Sequence, residues 1–570
     1  MSNARRVTWA FAFFGLVLWL APAALGQTVT GRLLGTVQDP SGAGVPGAQV
    51  TITNQGTGIS LKTQTDGVGN YVAPSLAPGA YTVRVEAAGF RAAVASGNTV
   101  SVAQTTRVDM TLQVGPIAES VEVTAAAPLV QSTTSDIGET IEKRQVQMLP
   151  LNGRIFSQLV QLVPGAIPRG HSDAPESASG AGARASIMAT VNGVPWSGTS
   201  YTVDGVSNAE PLNAFINIAP PIEAIEEFKV QTSNPSAEFG TYGGAVVNLT
   251  LRSGNNEFHG SLFEYLRNEK LNARSFFAAT KAPFKTNQFG GTFGGPIKRN
   301  KAFFFGDYQG LRLRTGNTYN FGVPTVAMQQ GLLLTAEGFD AINDPNSSTT
   351  AAGVTPFPEN RVPASRWDPV SRQVLGIWPQ PNAPGSRLGP YQNFQENVSN
   401  SQNVDAFDLK GDYQFEKAGR LFLRESYVNR DLTAPPPAGN RFLSSGPNSQ
   451  SRNHNAVIGY SVSLRPTLLN ELRLGFNRFD TFHFGNDYGV DKNNELGIKN
   501  GNLPAFPESS GIANFGVSPL YGFGAPGWTN AQRLANTYEI TNATTWVRSA
   551  HTLKMGLDLR KVRSTLTNPQ

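Results

Sequence analysis

Apolar and polar residues alternate with a period of two through most of the second half of the chain. Phe407, Leu409 and Tyr413 alternate with Asp408, Lys410 and Asp412, and Leu472, Leu474 and Phe476 with Glu471, Arg473 and Asn477. Ala456, Ile458, Tyr460, Val462 and Leu464 continue the rhythm, as do Leu553, Met555, Leu557 and Leu559. Such a period puts successive side chains on opposite faces of a strand, so each segment has one greasy face and one wet face. In "NQFGGTFGGPIKRNKAFFFGDYQGLR" (287–312), Phe289, Gly291, Phe293 and Gly295 share one side. A basic turn follows and the chain returns through Phe303 to Phe305, which predicts a β-hairpin.

The connections alternate as well. They run long (268–286), short ("KRNK"), very long (314–404), short ("EKAG"), long (429–453), short ("RPT"), long (480–535) and short ("RSAH"). A transmembrane barrel sorts its connections in this way, with short turns on the periplasmic side and long loops outside. Strands of roughly 9–11 residues suit a tilted bilayer crossing. The greasy faces, Phe289, Phe293, Tyr538, Ile540 and Trp546 among them, are expected to meet lipid; packing against a second sheet is the competing arrangement.

Three regions precede this one. Arg5 and Arg6 lead the apolar run "VTWAFAFFGLVLWLAPAALG", and Ala24 and Gly26 place small residues ahead of a cut before Gln27. Residues 1–26 are therefore expected to be a cleaved signal peptide, the run being short for an uncleaved anchor. Residues 28–113 hold short alternating runs (Val50, Ile52; Tyr81, Val83, Val85) between Gly, Pro, Asp and Asn turns, which predicts a small β-sandwich. Residues 114–128 form a linker in which Val121 and Val123 suggest an extended peptide able to pair with a sheet edge. Residues 129–252 are mixed α and β, with a short helix expected from Ile155 to Val163, ended by Pro164 and Gly165.

Composition narrows the function. With no cysteine, disulfides, thiolate metal sites and thiol nucleophiles are excluded. The formal charge of +5 is spread along the chain without a basic block, which argues against nucleic acid. His171, His259, His454, His483 and His551 are scattered, with no H-E-x-x-H, G-x-S-x-G or P-loop, so neither an enzyme nor a cofactor or metal site is expected. Gly42, Gly44 and Gly47 fit G-x-G-x-x-G, but Pro46 and a following strand replace the helix that would hold a phosphate, and Gly522, Gly524 and Gly527 lie in a loop. Asp66 with Gly67 supplies turn chemistry, its spacing being incomplete for a calcium loop.

Two stretches, "GTVQDPSGAGVPGAQVTITN" and "TDGVGNYVAPSLAPGAYTVRVEAAGF", resemble the carboxypeptidase regulatory-like domain, a transthyretin-like sandwich related to carbohydrate-binding modules. Further on, "LPLNGR" (149–154), "VDG" (203–205), "IEEFKVQTSNPSAEFGTYGGAVVNLTLRSGNNEFHGSLFEYLRN" (225–268), 287–312 and "HTLKMGLDLR" (551–560) together resemble the Oar-like TonB-dependent outer-membrane receptors. The resemblance implies a mainly β chain: an N-terminal transthyretin-like β-sandwich, an α+β plug over 129–252, and part of an antiparallel transmembrane β-barrel over 258–570. It implies export to the outer membrane of a Gram-negative cell, contact with outer-membrane lipid, energy from a TonB-type inner-membrane complex, and uptake of a ligand of siderophore, oligosaccharide or peptide class. "SVEVTA" (120–125) is similar to the TonB box, with Val121, Glu122, Val123 and Thr124 as the partner-binding residues; Asp204 and Gly205 match the plug turn and are expected to be structural. Barrels of this kind close with ~22 strands, whereas about nine alternating segments follow the plug here, so the sequence is expected to be a fragment of a longer receptor. The alternative function is a cell-surface or periplasmic carbohydrate-binding or adhesion protein.

Overall fold

The computed structural model describes residues 30–116, 120–122, 137–168 and 189–567, apart from short stretches within the last of these (275–280, 335–337, 348–353, 386–390, 416–418, 549–550 and a few single positions). The expected signal peptide and the positions Val123 and Thr124 lie outside the described residues.

The first unit is a two-sheet sandwich. Strands β1 (Gly31–Gln38), β4 (Asn70–Leu76), β7 (Thr105–Arg107) and β8 (Met110–Thr111) form one sheet around β1. The other runs β3 (Ser60–Gln64), β2 (Gln49–Asn54), β5 (Gly79–Glu86), β6 (Ala92–Val100), β9 (Ser120–Glu122). Alternate residues Val50 and Ile52, and Tyr81, Val83 and Val85, point into the shared core with Leu33, Val37 and Tyr71, as a half-buried strand requires.

The middle unit is built on a five-stranded sheet ordered β10 (Ile137–Glu142), β15 (Ile225–Ser233), β16 (Val246–Leu251), β13 (Ser200–Val203), β14 (Val206–Ser207). A small hairpin, β11 (Ala166–Pro168) with β12 (Ala189–Val191), and one short helix, α1 (Lys143–Met148), complete it. The segment expected to be helical from Ile155 to Val163 is a 3₁₀ helix over Phe156–Leu162. Its Phe156, Leu159 and Val160 are buried in the core of this unit, so packing sets its tighter winding where sequence period alone suggests an ordinary turn.

The remainder is one antiparallel nine-stranded wall, each strand paired with the next in sequence: β17 (His259–Asn268), β18 (Phe284–Lys298), β19 (Ala302–Phe321), β20 (Phe394–Gln414), β21 (Gly419–Thr433), β22 (Asn448–Arg465), β23 (Leu468–Phe484), β24 (Ala531–Arg548) and β25 (His551–Thr567). Long and short connections alternate as the sequence predicts. Only β17, with 10 residues, has the expected 9–11; the other strands are longer, and β20 reaches 21. Beyond the apolar belt the outward face turns polar as well, as at Thr318, Asn320, Gln395 and Asn397, so the contrast of one greasy and one wet face is lost while the backbone pairing goes on.

Register makes the wall two-faced. Across seven strand junctions the row Gly295, Phe304, Gly411, Leu423, Ile458, Leu474, Ile540, Leu559 stands in line, and no polar side chain interrupts it. Leu423 is 47% exposed, Ile458 47% and Leu559 53%, a continuous greasy surface of the kind hydrocarbon accepts and water does not. Gly310 keeps this face smooth: a Cβ there would lie 2.5 Å from the Phe289 ring, which covers the bare backbone. Phe303 and Phe305 do not share that surface. Both are 2% exposed and point to the opposite face, while Phe304 between them faces outward. An all-aromatic run hides the alternation that backbone geometry enforces.

The long connections are packed together. Phe321, Val323, Trp378, Leu443, Leu496 and Phe523 bury one another in a separate apolar cluster. Phe321 stacks on Tyr521 at 4.0 Å between ring centres, and the Trp378 indole N–H donates to the Tyr521 carbonyl at 3.0 Å. Removing this anchor by Trp378→Ala is expected to cost about 3–5 kcal/mol of local stability. Limited proteolysis then cuts within 322–393, while heat-modifiable migration of the wall is unchanged.

Candidate functional site

The row of the wall next to the greasy one faces the middle unit, and its chemistry is reversed. In register it reads Phe305, Lys410, Arg424, Val457, Gly475, Glu539, Arg560. The following inward row reads Asp307, Asp408, Ser426, Asn455, Asn477, Thr537. These two rows receive one hairpin of the middle unit.

Val203 and Val206 pair across a two-residue turn whose central residues, Asp204 and Gly205, have φ of 48° and 81°. Positive φ at both positions is the geometry that an Asp-Gly hairpin supplies at low cost. The turn carries the Asp204 carboxylate into the wall. Lys410 Nζ donates to Asp204 Oδ1 at 2.9 Å and to the Leu251 carbonyl at 2.9 Å. Arg424 Nε stands 3.3 Å from Asp204 Oδ2, and Arg424 Nη2 donates to the Val203 carbonyl at 3.1 Å. Asp204 and Lys410 are 2% and 4% exposed at their side chains, so the charges are held out of water and depend on one another.

The rest of the hairpin is seated by hydrogen bonds. The Ser207 N–H donates to Glu539 Oε2 at 2.8 Å, and Arg560 Nη2 holds Glu539 Oε1 at 3.0 Å. Asn455 Nδ2 donates to the Ser207 carbonyl at 2.8 Å, and Asn477 Nδ2 to the Ala209 carbonyl at 3.0 Å. Asn217 donates to Asn477 Oδ1 and, at 3.2 Å, to the His454 carbonyl. Gly475 gives Val206 its place, since a Cβ there would stand 2.8 Å from Val206 Cγ1. The sequence points to Asp204 and Gly205 but not to Lys410, Arg424, Asn455, Asn477 or Glu539. Their signal was the wet half of each alternating strand, which needs the register to be read as rows.

The sandwich also rests on these parts, at the end of the wall where the connections are short. The Asn256 N–H donates to the Gly56 carbonyl at 3.0 Å, and Ser75 Oγ to Glu471 Oε1 at 3.2 Å. Against the middle unit, Lys229 Nζ donates to the Ala103 carbonyl at 2.8 Å and Glu227 accepts from the Val102 N–H. Burial pushes the Glu227 carboxyl up to about 7 from its ordinary 4.5, against the opposing pull of the Val102 N–H. Of the expected partner-binding residues, Val121 and Glu122 lie in β9 on the sandwich, away from the Asp204 turn. Among the described residues no group of His, Asp and Glu has the arrangement to hold a metal ion, and no helix is long and apolar enough to cross a membrane.

Two measurements test this geometry. Lys410→Met strands half of the Asp204 charge and is expected to loosen the middle unit by about 2 kcal/mol, seen as a lower urea midpoint for its release from the wall. A carboxyl whose docked pKa is raised contributes most below 4.5 and loses its contribution as pH rises through about 7. Hydrogen exchange at 101–104 is therefore expected to speed up over that window, by at most about 3 kcal/mol in opening free energy, and Glu227→Gln is expected to flatten the profile.

The chain is similar to several known proteins. The TonB-dependent transporter Oar of Myxococcus xanthus is 28% identical over 305 residues, covering 50% of this chain and 27% of that protein. Among solved structures, the ferric enterobactin receptor PfeA of Pseudomonas aeruginosa aligns with a TM-score of 0.42 at 12% identity, over 77% of this chain and 51% of that one. The outer membrane transporter YddB of Escherichia coli aligns with 0.41 at 10% identity, over 74% and 48%. The chain thus spans about half the length of those structures and about a quarter of the curated relative. A family model described as carboxypeptidase regulatory-like domain matches residues 32–113, and one described as outer membrane beta barrel domain matches residues 250–570, more than half of the chain. The chain belongs to the outer membrane β-barrel domain family and carries a carboxypeptidase regulatory-like domain ahead of it.

Proposed function

We propose that this chain works in a TonB-dependent receptor of the Gram-negative outer membrane, taking up a ligand of siderophore, oligosaccharide or peptide class. The observation that carries the reading is the two-faced register: one row of the wall suits lipid, and the next grips a separately folded middle unit through Asp204, Lys410 and Arg424. A unit held in this way acts as a plug. Moving it means parting buried charges, which thermal motion alone does slowly and an external pull does well. Force from a TonB-type inner-membrane complex, applied to the linker between sandwich and plug, supplies that pull. The packed outer loops are the place for ligand capture, being on the far side of the wall from the sandwich.

The alternative of sugar binding by the sandwich has less support. Its three aromatic residues, Tyr71, Tyr81 and Phe90, all pack into or against its core, so none forms an open platform for a sugar ring.

Deletion of 121–124 in the native host is expected to abolish growth on the transported compound, screened among ferric chelates, oligosaccharides and oligopeptides. Surface abundance and heat-modifiable migration are expected to stay at the level of the undeleted chain. Uptake that survives both the deletion and a protonophore overturns the reading.

A further inference from the structure

The first residues of the segment assigned above to the energising partner, Val121 and Glu122, already sit in a sheet. Strand β9 runs parallel to β6, with Ala92 opposite Ser120, Ala93 opposite Val121 and Val94 opposite Glu122. The chain is steered there by its own last turns: the Arg91 N–H donates to the Gln113 carbonyl at 2.8 Å, and Phe90 bridges Val114. In the sheet order β3, β2, β5, β6, β9, the segment is the terminal strand. Among the described residues β6 alone pairs with it, so its other backbone edge has no strand beside it.

We infer that the sandwich is a presenting platform, holding Ser120–Glu122 extended at a sheet edge so that a strand of the energising protein adds to it and lengthens the sheet. The partner is a β-strand with a free edge of its own; main-chain hydrogen bonds join it, and no pocket is needed. A free linker loses about 1–2 kcal/mol of backbone entropy per residue on being straightened, and a segment already paired on one side has lost it in advance. The arrangement also ties the grip to a defined place on the sandwich rather than to a loose tether. This inference rests on the TonB-dependent reading, which it deepens by giving the regulatory-like domain a part in the contact.

A disulfide separates presentation from its opposite, concealment. The natural chain has no cysteine, so Ala92→Cys with Ser120→Cys forms one bridge only, at paired positions about 4.8 Å apart, within the span a disulfide allows. The bridge leaves Val121 to Thr124 untouched. The full chain in detergent is titrated with the soluble periplasmic domain of the host's TonB-type protein, oxidised and reduced. Presentation predicts that the oxidised form binds as tightly as the natural chain or up to tenfold tighter. It also predicts that amide exchange at 120–122, slow in the free chain, slows at least a further tenfold on binding. Binding by the natural and reduced chains that is lost on oxidation overturns presentation and shows the sandwich to hide the segment. Unprotected exchange at 120–122 in the free chain overturns it as well. Protected exchange with no binding by any form overturns the TonB-dependent reading itself, and presentation with it.

Discussion

Neighbouring residues of a strand face opposite ways, and in the wall this one constraint sorts two solvents. Every backbone N–H and C=O between β17 and β25 can be met by an adjacent strand, so the backbone is satisfied without water and the side chains are left to choose the environment. The row through Leu423 and Ile458 then offers only carbon to one side, and the next row offers Lys410, Arg424 and Glu539 to the other. A slip of one residue in any pairing would exchange the two rows. It would put Arg424 into hydrocarbon and take away the partner of Asp204. The register is thus held from both faces at once.

The same constraint explains the character of the inner contact. An apolar interface between the middle unit and the wall would add stability but would set no position, because greasy surfaces slide. Asp204 meets Lys410 and Arg424 in one arrangement only, and Asn455, Asn477 and Asn217 add directional bonds around it. Buried ion pairs contribute little net stability against a packed apolar alternative, yet breaking one is costly. That combination fixes the unit in one position and makes its release a matter of parting a buried charge pair.

Much of this was legible in the sequence where side chains face contrasting media. The alternation at 407–413 and 472–477 gave the faces, and loop lengths gave the ends. It failed where contrast is lost. The outer parts of β19 and β20 turn polar on the outward face, as at Thr318 and Asn397, and look like loop; Phe303, Phe304 and Phe305 are apolar on both faces and look like one surface. The 3₁₀ segment Phe156–Leu162 is set by what it packs against, which no local pattern records. Lys410 and Asp204 are separated by 206 residues, and only the pairing of every intervening strand brings them together. The sequence also read 120–125 as a strand for a partner, without sign that the chain's own sandwich would take its first half.

The aromatic cluster among the long connections has a further meaning. Because Trp378, Leu443 and Phe523 pack with one another over Phe321 and Phe394 at the ends of β19 and β20, the outer surface has a core that touches the strands only at their tips. Residues around that core are free to diverge without disturbing the lattice of hydrogen bonds beneath, much as a lock may be rekeyed without rehanging the door. A lineage carrying this scaffold is therefore able to remodel its outermost layer by substitution while the pairing of the strands beneath stays as it is.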